Sequence, residues 1–435
     1  MVFRGSVWRG LSSVAVLALS AGAGAIACAP VAMAQDSAVQ QTTGISVEQA
    51  LASADSGNID VITSRLAVAT ARATLRSAET SPNPVLSVNT VQIRPNRIGS
   101  LPYGDLVDTV ARVDLPLERG GKRRARTESA RAGIAAAQGD LGDAQRRMRE
   151  AVFGAYFDLK AAEETLALQR SIAGGYATSQ TLAERRQRAG SISNGELAKQ
   201  RVEALRAQGD ADQARSDWRE AQLALATLTG READAVTLAT TSDWPSPINA
   251  NAVPASDLAD DRPDVRAAQA RVEAARRDLD GAHALKHPDV TVGVQYERAG
   301  GSLGVGDSVG LGVSVPLPVR NRYNGEVDAA STALVQAEAL ERKARALAAA
   351  DITNARQAAI EASARRALAV DEQLPAARKA ASVAEFSYSH GASALIDLLD
   401  ARRSLQAVEL NAIDARNNEA KAIAALRSAE TTGED

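Results

Sequence analysis

Laid on itself, the chain repeats at an offset of about 200 residues, and this duplication restricts the fold more than any other feature. Asp60-Val61 through Leu75 and Ala78 align with Asp264-Val265 through Leu279 and Ala282. Each stretch is an amphipathic helical pattern that ends before a proline. Pro84-Val85-Leu86-Ser87-Val88 then matches Pro288-Asp289-Val290-Thr291-Val292, and Val113-Asp114-Leu115-Pro116-Leu117 matches Val313-Ser314-Val315-Pro316-Leu317. Further on, Gly190, Leu197, Arg201 and Leu225 match Gly391, Leu398, Arg402 and Leu426. Each half therefore reads helix, strand, strand, long helix, turn, helix. The halves run over 35–240 and 263–435, and the proline-bearing stretch from Trp244-Pro245-Ser246-Pro247 to Pro254 predicts a linker over 241–262.

The strands, expected over about 85–94, 107–115, 290–298 and 308–316, carry the period of two that separates the faces of a sheet. Val290, Val292, Val294 and Tyr296 alternate with Thr291, Gly293, Gln295 and Glu297. Val309, Leu311, Val313 and Val315 alternate with Ser308, Gly310, Gly312 and Ser314. Val107, Thr109, Ala111, Val113 and Leu115 take one face of the second strand, and Asp108, Arg112 and Asp114 the other; the first strand alternates poorly. Such segments fit strands that are apolar towards lipid and polar towards a lumen, although a half-buried soluble sheet suits any one of them equally well.

No proline falls between Lys122 and Arg188. Ile134, Leu141, Met148, Ala155 and Ala162 interleave there with Val152, Leu159, Leu166 and Ala173 at heptad spacing. One helix over 122–188 would run about 100 Å, far beyond a globular helix. The second half offers its counterpart over about 325–389. Only 3% of residues are aromatic, which argues against an aromatic-centred core. A formal charge of -3 recommends no nucleic-acid partner. One cysteine and three histidines argue against disulfide frameworks and cysteine-built metal sites, so no cofactor is expected.

Arg4 and Arg9 precede a small, apolar stretch that closes on Ala32-Met33-Ala34, which reads as a secretory signal over 1–34. Ala25-Ile26-Ala27-Cys28 is a loose lipobox, so acylation of Cys28 is the competing reading. Beyond Gln35 no run approaches the roughly 18 apolar residues of a transmembrane helix, so any crossing would be made by strands.

Catalytic motifs fail on their own chemistry. Gly120-Gly121-Lys122 lacks the earlier glycine of a phosphate loop, since Pro116 stands there, and Arg123 replaces its Ser or Thr. Gly301, Gly304 and Gly306 precede a strand rather than a helix N-terminus and read as a tight loop. His283 and His287 are four apart, but Pro288 ends the helix and no third ligand completes a set. Glu163 and Glu164 lie on a charge-rich face with nothing evident to bury them and raise a pKa. The chain reads as no enzyme.

Gly190-Ser191-Ile192-Ser193-Asn194-Gly195-Glu196-Leu197 and Gly391-Ala392-Ser393-Ala394-Leu395-Ile396-Asp397-Leu398 each reverse a long helix, glycine supplying the left-handed residue that ends it. With these turns the element order resembles the TolC-like outer-membrane efflux channels, and in particular their heavy-metal, cobalt-zinc-cadmium type branch. Ser81-Pro82-Asn83-Pro84, Leu115-Pro116-Leu117-Glu118-Arg119-Gly120-Gly121-Lys122-Arg123 and Gly391 through Leu398-Leu399-Asp400-Ala401-Arg402 carry the likeness.

The resemblance implies a mainly α chain with a small β portion, three copies of which form an α-barrel continued by a twelve-stranded transmembrane β-barrel. It implies an exit duct in the outer membrane of a Gram-negative cell, in contact with lipid. Its partners would be a periplasmic adaptor and an inner-membrane pump of the resistance-nodulation-division type. Adaptor docking would fall on Gly190, Ser191, Glu196, Leu197 and Arg201 and on Gly391, Ala392, Asp397, Leu398 and Arg402. Apart from the resemblance, Glu196, Asp397 and Asp400 are candidate gate charges near the turns. From the duplication itself, Gly174, Gly175 and Pro375 stand at matching distances before the two turns and should permit bends. Export of drugs or organic solutes is the alternative within the same fold. A periplasmic helical adaptor and a structural coiled coil are the alternatives outside it.

Overall fold

The computed structural model describes residues 43–91, 99, 107–246, 254–299 and 306–432. In chain order the elements are β1 (Thr43–Ile45), α1 (Val47–Gly57), α2 (Ile59–Glu79), β2 (Val85–Val91), β3 (Asp108–Leu117), α3 (Lys122–Arg188) and α4 (Asn194–Thr229). A 3-10 turn at Glu232–Thr237 leads to β4 (Leu238–Thr240), α5 (Ala255–Ala259), α6 (Pro263–Ala284), β5 (Val290–Arg298) and β6 (Ser308–Ser314). The chain then forms α7 (Asn324–Ala367), a π-helical segment at Leu368–Gln373, α8 (Leu374–Ser389) and α9 (Leu395–Glu430). The helix, strand, strand, long helix, turn, helix order thus occurs twice. The short α1, α5, β1 and β4 are additions that the duplication did not reveal.

Chemistry sets the ends of these elements. Asn58 caps α2, its Oδ1 accepting from the Asp60 and Val61 amides. Pro263 opens α6, where a missing N–H costs nothing. β3 runs through Pro116 to Leu117 because its pairing with β5 extends to Val290. β6 stops at Ser314, ahead of Pro316 and Pro318. Residues 92–94, expected at the end of the first strand, lie outside the described residues, as do Gly301 and Gly304.

β2, β3, β5 and β6 form one antiparallel sheet in that order. The register aligns Leu86, Val113, Val294 and Leu311 in one cross-strand row and Val88, Ala111, Tyr296 and Val309 in the next. Ser87, Arg112, Gln295 and Gly310 form a row on the opposite face. The apolar rows are bare: Leu311 is 83% exposed and Val313 70%. Burying one such side chain is worth about 1.5–3 kcal/mol. A whole face of them in water is a large liability that hydrocarbon removes.

The main core lies elsewhere, where α1 and α2 meet α3 and α4 beside the parallel β1–β4 pair. Met148, Val152 and Leu159 of the expected seam are buried there, but the largest fully buried side chain is Tyr156, which lies off that seam. The expectation against an aromatic-centred core is corrected here: Phe153, Phe157 and Trp244 stack and Tyr156 meets Phe157 edge-on, with ring centroids 5.3–6.3 Å apart. Aromatics are scarce in the chain, and four of its 13 meet here. The Tyr156 hydroxyl donates to the Ile45 carbonyl at 3.0 Å and accepts from the Thr241 and Ser242 amides at 3.0 and 2.8 Å, tying both short strands to α3.

Candidate functional site

Both hairpin tips are closed by one backbone device. After α3 the Gly190 amide donates to the Gln187 carbonyl at 2.9 Å and the Ser191 amide to the Arg186 carbonyl at 2.9 Å, with Gly190 at φ 75°. After α8 the Gly391 amide donates to the Tyr388 carbonyl at 3.1 Å and the Ala392 amide to the Ser387 carbonyl at 2.8 Å, with Gly391 at φ 74°. These are paired Schellman closures, and the positive φ explains the glycines. The return helices also start alike: the Ser193 amide donates to the Glu196 carboxylate at 3.0 Å and the Ala394 amide to the Asp397 carboxylate at 3.1 Å. Only the first is a full capping box, because Ser193 Oγ accepts from the Glu196 amide and Ala394 has no such group.

Gly190, Ser191, Glu196, Gly391, Ala392, Asp397 and Asp400 are all exposed at these tips, while Leu197 is half-buried and Leu398 buried. Glu196 and Asp397 thus have a capping duty. Asp400 faces Arg403 across 3.4 Å. The matched arginines differ: Arg201 is exposed, whereas Arg402 reaches Glu385 at 2.7 Å and Ser179 at 3.4 Å, joining α9 to α8 and α3. Arg403 pairs with the Glu203 carboxylate of α4. Tyr176, Ala207 and Leu399 form a small core between these helices, and burial together with Glu203 pushes the Tyr176 hydroxyl above its ordinary range. Beside it a groove of about 270 Å³ is lined by Tyr176, Leu182, Ile192, Leu395, Leu398 and Leu399. Sequence reasoning missed these ties between hairpins, because contacts across some 200 residues have no local signature.

The two bend positions behave differently. α3 remains α-helical through Gly174 and Gly175, both with open space around them. Before Pro375 the chain adopts the π-helical segment Leu368–Gln373, whose wider turn accommodates the missing proline donor. Cys28 lies outside the described residues.

No group of three or more His, Cys, Asp or Glu is arranged to hold a metal ion among the described residues. Glu163 requires a correction, since it is not left in the open. Its carboxylate accepts from the Thr240 amide at 3.0 Å and from the Thr240 hydroxyl, and burial pushes its pKa above the ordinary range. Glu164 accepts from Trp244 Nε1 at 2.8 Å. The two glutamates hold Thr240, at the end of the first half, and Trp244, just beyond it, against α3.

The sheet and the paired tips mark the two ends of the helical hairpins, and comparison with known proteins identifies the arrangement. Residues 50–231 and 255–430 match the outer membrane efflux protein family, one segment in each half. The chain belongs to this family. The cobalt-zinc-cadmium resistance protein CzcC of Cupriavidus metallidurans is 27% identical over 83% of this chain and 84% of its own. The pyoverdine export outer membrane protein OpmQ of Pseudomonas putida is 32% identical over 52% of this chain and 49% of its own. The CmeC outer membrane channel of Campylobacter jejuni shares the fold, with a TM-score of 0.77 and 17% identity over 88% of this chain and 85% of that one. As an outer membrane efflux protein the chain is a passive channel and no enzyme, and its place is the outer membrane.

Proposed function

We propose that three copies of this chain close one twelve-stranded barrel through the outer membrane and that their hairpins continue it as a periplasmic tube. The observation that carries this reading is the four-stranded sheet, apolar and bare on one face, with β2 and β6 as its unpaired edges. Four strands cannot close on themselves, and an open edge in lipid would strand backbone groups without partners. Strand directions alternate from β2 to β6, so the β6 edge of one copy meets the β2 edge of the next antiparallel, and three copies close without a mismatch.

In this reading residues 1–34 are the signal peptide, 35–240 and 263–435 the two repeats, and 241–262 the linker. The tips, Gly190 to Arg201 and Gly391 to Arg402, dock on a periplasmic adaptor, which links the duct to an inner-membrane resistance-nodulation-division pump. Heavy-metal cations are the proposed cargo, supported by the likeness to a cobalt-zinc-cadmium resistance protein over most of both chains. A second reading, export of an organic solute, is supported by the likeness to a pyoverdine export protein. In the metal reading selectivity belongs to the partners, since no group of three or more His, Cys, Asp or Glu is arranged to hold a metal among the described residues.

Heat-modifiable trimers in outer-membrane fractions are the expected result of fractionation; a protein found only in the periplasmic fraction overturns the channel. Tryptophan at Ser191 or Ala392, both exposed, should abolish efflux and leave those trimers intact. Efflux that survives both substitutions removes the tips from docking.

A further inference from the structure

Among the described residues of the sheet, Arg112 is the one basic side chain on the polar face. Its Nε donates to Asp114 Oδ1 at 2.7 Å, two residues along the same strand and on the same side. The guanidinium then lies flat across the neighbouring strands rather than standing away from them. Gly293 of β5 is opposite Asp114, and Gly312 of β6 is opposite Gly293. A Cβ at Gly293 would collide with the Asp114 carboxylate and come within 2.6 Å of Arg112 Nη2, and one at Gly312 would meet the Arg112 guanidinium alone, at 3.2 Å from Nη1. Gly293 is also the one buried position of β5. Two glycines side by side in adjacent strands form the bed in which this side chain rests, which is a physical reason for small residues at a site where strands otherwise lose stability. Glu297 lies one row beyond Arg112 on the same face and Asp108 one row further, so Arg112 and Asp114 are the bonded pair within a face that carries two more acids.

We propose that Arg112 and Asp114 set the charge of one level of the channel: a mutually neutralising pair, held against the wall by Gly293 and Gly312 and repeated three times around the lumen, that keeps this level from adding a net charge to the acidic side chains beyond it. The proposal rests on the trimeric barrel proposed above. Rings of charged side chains set the sign of ions that a pore admits, and a neutralised ring sets none. Either half of the pair, left without the other, exposes three like charges at one level and biases the local potential.

The test reads that potential directly. Ser87, opposite Arg112 in β2, is replaced by cysteine in a Cys28→Ser background, and purified trimers in nanodiscs are treated with matched anionic and cationic water-soluble thiol reagents. Asp114→Asn should raise the anionic-to-cationic rate ratio at least about twofold, Arg112→Gln should lower it by a similar factor, and the double variant should return it to the starting value. Gly312→Ala, whose added methyl meets the Arg112 guanidinium alone, should raise it without altering any charge, by pushing the guanidinium off the wall. Gly312→Ala, the mildest of these changes, keeps the test decisive if the charge variants fail to assemble. Ratios that stay constant, or that move together in both single variants, overturn the proposal. Reaction of the Ser87→Cys thiol with membrane-soluble reagents alone would instead overturn the barrel.

Discussion

Tyr156 and Glu163, two turns apart on α3, gather the backbone ends of the first half. The Tyr156 hydroxyl makes three bonds to main-chain groups, and Glu163 takes both donors of Thr240. Burial pushes the Glu163 carboxyl up, while the bonds from Thr240 pull it down by less. The folded value is therefore above the unfolded one, so the protonated form favours folding. That contribution is complete below the unfolded value of about 4.3 and is lost as pH rises through the folded value. Glu163→Gln should accordingly melt with less dependence on pH between about 4 and 7 than the parent. Parallel melting profiles for the two proteins would show that the carboxyl titrates as it does in the unfolded chain.

At the scale of elements, each strand of the sheet divides its residues between two environments. Arginine at Val292 or Val313, on the apolar face, should weaken membrane insertion by about 2–4 kcal/mol near the midplane. Arginine at Gly312, on the polar face, should insert and change conductance, because it displaces the Arg112 guanidinium. Equal insertion of all three in a lipid-folding titration would reverse the assignment of faces. The long helices bear on opening. The π-helical turn before Pro375 marks a place where the ladder is already loosened, whereas Gly174 and Gly175 weaken α3 by about 1 kcal/mol each without breaking it. If the tips curve inward and outward about these points, Pro375→Ala and the pair Gly174→Ala with Gly175→Ala should shift the ratio of closed to open single-channel events. Alanine at both glycines meets open space, so trimer stability should change little. Unchanged gating in both variants would leave these positions as tolerated irregularities.

At the scale of the molecule, the edges of the sheet decide the assembly. A soluble protein blunts its edge strands with charges or covers them, but β6 presents Val309, Leu311 and Val313 bare at the end of the sheet. Single cysteines at Leu86, Val88 or Thr90, each combined with one at Val309, Leu311 or Val313 in a Cys28→Ser background, should yield covalent trimers on oxidation for one register only. A slip of one residue would turn apolar side chains towards the lumen, and a slip of two at every seam would change the stagger that a closed barrel fixes. Covalent dimers alone, or linear ladders beyond the trimer, would show that the edges pair without closing.

Much of this was legible in the sequence because its signals are local or periodic. The absence of proline from 122 to 188 gives one helix over Lys122–Arg188, alternation places Val292 and Leu311 on a common face, and glycine at 190 and 391 follows from the left-handed residue that a Schellman closure needs. The repeat made the two halves readable against each other. The tertiary structure decided what depends on meetings between distant residues: Tyr156 rather than the heptad seam as the centre of the core, Glu163 buried rather than solvated, Arg402 tied to Glu385 while its match Arg201 stands exposed, and Arg112 laid over Gly293 and Gly312. Periodicity says which side of an element is apolar, but burial, pairing and close approach are properties of two surfaces at once, and a linear pattern describes only one of them.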